Sequence, residues 1–185
     1  MKIGIDLDGC VYDYVGALRH YFAATSGVDP ASVPPVTQWE IWACWGITER
    51  EFWQLAADAI TEGEVFLSGD ACPGAIEALF DLVERGHELH VVTARRRELD
   101  AISQTIYWLQ QWNVPFKSIS FSSDKTLLQL DAFVEDNLDN AKAIDAADGF
   151  AILLDRPWNA DPFFVGRAAD WADVVRIVDH ISEDQ

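Results

Sequence analysis

Apolar and polar positions in this chain follow two alternating periods, and the switches between them mark out its elements. In KIGIDLDG, Ile3, Ile5 and Leu7 alternate with polar or small residues before Gly9, which predicts a short strand ending in a turn. The apolar stretch from Val11 to Ala24 reads as a helix. After Gly27 a proline-bearing loop, VDPASVPPV, leads into the aromatic-rich TQWEIWACWG and then TEREFWQLAADAI. There Phe52, Leu55, Ala56 and Ala59 fall on one helical face. Thr48 is the expected cap of that helix, and Glu51 completes a capping box.

From Pro73 the alternation becomes regular. PGAIEALFDLVERG predicts a helix with Ile76, Leu79, Phe80 and Val83 as its apolar face, Pro at its start and Gly86 at its end. ELHVVTA reads as a strand, and Leu99, Ile102, Ile106 and Leu109 mark a helix. KSISF and AFVED are strands, NLDNAKAIDAADG is a helix closed by Gly149, and FAILL is a strand. The last helix carries Val174, Ile177, Val178 and Ile181, with Asp170 as its cap. Strands separated by helices of this kind predict an α/β fold, a doubly wound parallel sheet with helices on both faces. Residues 14–71 hold no convincing strand, so they read as a small helical cap inserted after the first strand. The core is then residues 1–13 and 72–185.

Composition narrows the function. The chain has 185 residues, half of them apolar, which fits one domain with a substantial core. Its formal net charge is −18, and its basic residues cluster only at Arg95, Arg96 and Arg97, so neither nucleic acid nor a membrane surface is an expected partner. Three widely spaced cysteines, Cys10, Cys44 and Cys72, predict no disulfide framework and point to a reducing compartment. Two acids inside the first apolar run argue against a signal peptide, and the expected location is cytoplasmic.

In an open parallel sheet, ligands bind beyond the carboxyl ends of the strands, so the strand-ending residues are the candidates for chemistry. They are Asp6, Leu7, Asp8 and Gly9; Thr93, Ala94 and Arg95; Ser122, Ser123, Asp124 and Lys125; and Glu135, Asp136 and Asn137. Several carboxylates brought together need a counter-ion, and hard oxygen donors suit Mg²⁺. His87 and His90 are too scattered to be metal ligands and read as structural. An ionised Asp can attack phosphorus unaided once repulsion is cancelled, while a second carboxyl two residues on can protonate the leaving oxygen and later activate water. Asp6 is thus the expected nucleophile and Asp8 the acid/base.

DLDGC, VVTAR, the Lys125 of SSDKT and VEDN occur in the order and strand positions of the haloacid dehalogenase superfamily of phosphohydrolases, which the chain resembles over nearly its whole length. The resemblance implies that Asp6, Asp8 (through its carbonyl) and Asp136 hold the metal and that Thr93 and Lys125 hold phosphate. LSGDACPGAIEAL and LLDRPWN, with the helical insertion, look like the 5′-nucleotidases of the deoxyribonucleotidase type. Where that family has Thr-Ser-Pro, this chain has Thr93, Ala94 and Arg95, so Ala94 contributes only its backbone to phosphate.

The expected activity is Mg²⁺-dependent hydrolysis of a (deoxy)nucleoside monophosphate, the deoxy form favoured, through an aspartyl-phosphate. The alternatives are the same chemistry on a sugar phosphate and, more distantly, a receiver-like phospho-acceptor. Glu135 reads as a support for the ligands, Asp13 and Cys10 as structural, and Asp155 and Asn159 as turn-formers. Arg95 is balanced between substrate contact and a solvated helix start. Trp39, Trp42, Trp45 and Trp53 lie in the cap, where a core role is the ordinary one. The family resemblance implies that one or two of these or Phe22 face the base. Monomer and homodimer are both compatible with the sequence.

Overall fold

The computed structural model describes residues 1–95, 99–162, 164 and 166–183. Arg96 and Arg97 of the basic cluster, and the side chain of Leu99, lie outside the described residues.

Among the described residues six strands form one sheet: β1 (Lys2–Ile5), β2 (Glu88–Thr93), β3 (Ser118–Phe121), β4 (Ala132–Glu135), β5 (Phe150–Leu154) and β6 (Arg167–Ala168). Their spatial order is β3-β2-β1-β4-β5-β6, and every neighbouring pair is parallel. The chain builds outward from β1 through β2 and β3, then crosses back to add β4, β5 and β6 on the other side. This reversal opens a crevice at the carboxyl ends of β1 and β4. The sixth strand, only two residues long, has no periodicity that a sequence reading could detect.

Alternation along the strands divides the interior into two cores. Ile3, Ile5, Leu89, Val91, Ala132, Val134, Ile152 and Leu154 face one side. There they meet α4 (Ala75–Glu84), α5 (Leu99–Gln111) and α7 (Trp171–Glu183). Val92, Phe133, Ala151 and Leu153 face the other and pack on α6 (Leu138–Ala146). Gly4 belongs to this second face, where a Cβ would stand 2.3 Å from the Phe133 ring, so its missing side chain lets Phe133 lie across β1.

A third cluster belongs to the inserted segment: α1 (Tyr14–Ser26), α2 (Ile41–Trp45) and α3 (Glu49–Thr61). They gather Leu18, Tyr21, Trp45, Phe52, Ala56 and Ala59 around a core that also takes in Val65, Phe66 and Ala101. Thr48 caps α3, and its capping box with Glu51 is complete.

Three local expectations are corrected. The first helix begins at Tyr14 and not at Val11, because Cys10, Val11 and Tyr12 all donate their backbone N–H to the Leu7 carbonyl in a tight turn, and Asp13 caps the helix. In α4 the buried residues are Ala75, Ala78, Leu79 and Leu82, whereas Phe80 and Val83 are 43% and 40% exposed. The two alanines bring the helix close to the sheet, which turns the bulkier stripe outward. The turn after α6 takes its left-handed residue at Asp148 (φ 61°), not at Gly149.

Candidate active site

Register assembles the site. Ile5 pairs with Val91 on one side and Val134 on the other, and Asp6 extends the ladder by donating its N–H to the Val134 carbonyl at 3.0 Å. Asp6 therefore emerges beside Glu135 and Asp136. Lys125, on a short helical turn after β3, is only 3% exposed and donates to Asp6 Oδ1 at 2.6 Å and to the Val92 carbonyl at 2.5 Å. Its ammonium also lies 3.9 Å from Glu135 Oε1. Burial works against this charge, but Asp6 and Glu135 outweigh it and hold the lysine above its ordinary value.

Oxygens of Asp6, Glu135 and Asp136, with the Cys10 thiol, lie within 4.8 Å of one another. Burial first, then the charge of Asp6, raises both Glu135 and Asp136, the latter to about 8. Glu135 is engaged by Asn140 Nδ2 and, at 3.0 Å, by the Asp136 N–H, which makes it a strut for the strand end. Crowded oxygen donors, short of positive charge, are the donor set that a hard divalent cation such as Mg²⁺ prefers, and the residues fit it. Cys10 belongs to the core, and burial raises its thiol well above the ordinary range.

Gly9 makes room for this cluster. Its φ of +80° is the left-handed region, and a Cβ there would fall 2.1 Å from Asp136 Oδ2. Arg156 Nε donates to the Gly9 carbonyl at 2.7 Å, fixing the turn from the β5 side. Asn159, nearly fully buried, donates to the carbonyls of Asp136 and Leu154 at 2.7 and 2.8 Å, and Trp158 Nε1 donates to Asp136 Oδ2 at 3.0 Å. The DRPWN segment thus does more than make a turn, since three of its residues brace the ends of β1, β4 and β5. Sequence reading located the segment but missed the parts played by Arg156 and Trp158, because only the sheet order brings β5 next to β4.

Asp8 and Arg95 form a second pair. Arg95 Nε lies 3.1 Å from each Asp8 oxygen and Nη2 lies 2.7 Å from Oδ1. The guanidinium is buried, so its solvated alternative is excluded. Burial raises the Asp8 carboxyl, with Arg95 pulling the other way. Thr93 is fully buried, and its hydroxyl accepts the Arg95 N–H at 3.2 Å. Asp13 accepts from the Gly16 N–H as a helix cap. His87 lies against the Met1 amino group at 3.3 Å and His90 against Ser118 at 2.8 Å, among the peripheral contacts of β2.

Between this floor and the inserted helices lies a cavity of about 390 Å³. Its lining includes Asp6, Asp8, Ala94, Arg95, Lys125 and Asp136 below, with Trp39, Trp42 and Trp53 above. Trp39 and Trp53 are 52% and 49% exposed, as expected of rings on an open mouth. Trp45 does not line the cavity: it stacks on Phe22 at 5.0 Å and donates its ring N–H to the Pro34 carbonyl, so it holds the helices together. Phe66, Trp158 and Asn140 line the cavity without having been singled out in the sequence: no quoted motif holds Phe66 or Asn140, and nothing in LLDRPWN marks its tryptophan as facing the cavity.

The model of the family described as 5′ nucleotidase, deoxy (Pyrimidine), cytosolic type C protein matches residues 1–183. A protein of Chlorobaculum tepidum, provisionally named a 5′(3′)-deoxyribonucleotidase, is 29% identical over 181 residues, 95% of this chain and 89% of its own length. Among solved structures, a predicted phosphatase from Clostridium acetobutylicum superposes with a TM-score of 0.65 at 12% identity, over 97% of this chain and 98% of that one. A hydrolase of the haloacid dehalogenase superfamily from Geobacter sulfurreducens gives 0.61 at 16% identity, over 96% and 95%. At these identities the two structures establish likeness of fold.

Proposed function

Because the chain belongs to the deoxy (pyrimidine), cytosolic type C family of 5′ nucleotidases, and is thereby a phosphoric monoester hydrolase, we propose that it removes phosphate from deoxynucleoside monophosphates through a phosphoryl group carried on Asp6. The observation that carries this reading is the pairing of an acidic, lysine-bearing floor with aromatic walls in one cavity of about 390 Å³, within the size range of small-molecule sites. Residues 14–71 serve as the cap that supplies those walls.

Lys125 orients Asp6 by its bond to Oδ1 and, with the backbone N–H groups following Asp6 and Thr93, offers donors to the phosphoryl oxygens. An oxygen of Asp6 attacks phosphorus while the ester P–O bond breaks, and the departing sugar oxygen takes the proton of Asp8. Asp8 then removes a proton from water as that water attacks the phosphoryl group, which releases phosphate and restores the Asp6 carboxylate. Asp6, Asp136 and the Asp8 carbonyl would hold Mg²⁺, which when bound neutralises the crowded carboxylates and the incoming phosphate. Trp39, Trp42 and Trp53 provide faces on which a nucleobase stacks.

The test is phosphate release, with and without Mg²⁺, from deoxynucleoside and ribonucleoside monophosphates and from sugar phosphates, with Asp6→Asn as control. Turnover concentrated on deoxynucleotides and abolished by the substitution is expected. Turnover of sugar phosphates alone would keep the chemistry and discard the substrate, and full activity of the variant would remove Asp6 as the carrier.

A further inference from the structure

Arg95 occupies an unusual position for a cavity-lining cation. Its side chain is completely buried. Nη1 is 3.1 Å from the Thr105 hydroxyl of α5, and that hydroxyl in turn donates to the Ala101 carbonyl at 2.7 Å. The guanidinium carbon lies 4.4 Å from the centre of the Tyr12 ring and 4.1 Å from that of Phe66. Tyr12 stands on the connection that leaves the sheet for the inserted helices, and Phe66 on the connection that returns from them. These two segments are fastened to each other, because the Tyr12 hydroxyl donates to the Val65 carbonyl and accepts the Gly69 N–H at 3.0 Å. The remaining edge of the fork, Nε and Nη2, meets both oxygens of Asp8.

A planar guanidinium stacked by aromatic rings and bonded at its far nitrogen has few rotamers left, and a two-nitrogen contact transmits that rigidity to a carboxyl group. We propose that Arg95 is a positioning residue: it fixes the Asp8 carboxyl for proton transfer and references its position to both connections between the core and the inserted helices. The inference rests on the phosphomonoesterase reading above. The sequence left Arg95 balanced between substrate contact and a solvated helix start.

Positioning of an acid has a consequence that neither phosphate binding nor a purely structural role shares. An alkoxide leaving group needs a proton as it departs, whereas p-nitrophenolate does not. The ratio kcat/KM reports only the steps up to that departure, before Asp8 acts as a base on water. Arg95→Met is therefore expected to lower kcat/KM for a deoxynucleoside monophosphate by about 100-fold, the scale of general acid catalysis, while p-nitrophenyl phosphate changes by no more than about threefold. Arg95→Lys, with a single donor nitrogen in place of a planar fork, should recover part of the nucleotide loss.

Thr105→Val removes the anchor on Nη1 while keeping the Arg95–Asp8 charge pair, and should give the same split between substrates on a smaller scale, about three- to tenfold. It decides the matter if Arg95→Met does not fold. Equal losses on both substrates would overturn the proposal in favour of direct phosphate binding or general support of the fold, and no loss in either variant would also overturn it. Wild-type protein that turns over neither substrate with Mg²⁺ would instead defeat the phosphomonoesterase reading, and this inference with it.

Discussion

At the scale of single residues the site is governed by crowding. Gly9 is held where a side chain meets Asp136, so Gly9→Ala should lower thermal stability by roughly 2–8 °C, from about 1–2 kcal/mol for the left-handed backbone alone. It should also reduce phosphate release more than tenfold by displacing Asp136. A melting curve and an initial-rate assay check both. Asp136 supplies a second prediction. Its carboxyl is pushed up to about 8 by burial and by Asp6, against an unfolded value near 4. Between those values the folded protein binds a proton that the unfolded chain has released, so stability falls as pH rises across this window. Urea titrations of metal-free protein from pH 5 to 8 should show the decline, and Asp136→Asn should flatten it. A cation bound among the carboxylates favours their ionised forms, so saturating Mg²⁺ should also reduce the slope.

Among the elements, α4 shows how alanine can carry a helix–sheet contact. Ala75, Ala78, Leu79 and Leu82 face the core although Phe80 and Val83 are larger than the two alanines and equally well spaced. Leu79→Ala should cost about 2–5 kcal/mol, as truncations in a packed core do, and Phe80→Ala less than about 1 kcal/mol. Chemical denaturation of the two variants distinguishes the faces, and a larger loss at Phe80 would contradict this packing. Periodicity placed α4 in the chain correctly because its apolar residues recur at helical spacing. It misjudged the buried face because two neighbouring stripes are both apolar and only the distance to the sheet chooses between them. The aromatic helices pose the same ambiguity: Trp42 and Trp45 are three residues apart, yet one lines the cavity and the other stacks on Phe22.

For the molecule as a whole, the inserted helices have their own apolar cluster, and the cavity lies between them and the sheet. Two segments, around Tyr12 and around Phe66, join the two parts, an arrangement suited to closure over a bound phosphate. Amide exchange in Tyr14–Ser26 and Glu49–Thr61 should slow when Mg²⁺ and an inorganic phosphate analogue are added. Identical exchange profiles with and without them would show that the helices do not close on the ligand. Among the described residues, no helix is long and apolar enough to cross a membrane, and the charge of −18 leaves little attraction for a polyanion.

Local chemistry in the sequence determined the alternation of strands and helices, the capping box at Thr48, and the strand-ending acids and lysine on which the site is built. Those features depend on a few neighbouring residues, through side-chain period, backbone hydrogen bonding and turn geometry. Tertiary structure decided which carboxylates crowd together, because the pairing of β1 with β4 brings Asp6 beside Glu135 and Asp136. It also decided that Arg95 grips Asp8, that Trp158 and Asn159 brace Asp136, and that Trp45 stacks on Phe22 and does not line the cavity. Such contacts join residues far apart in the chain, and their distances depend on sheet order and helix packing, quantities that no local pattern encodes.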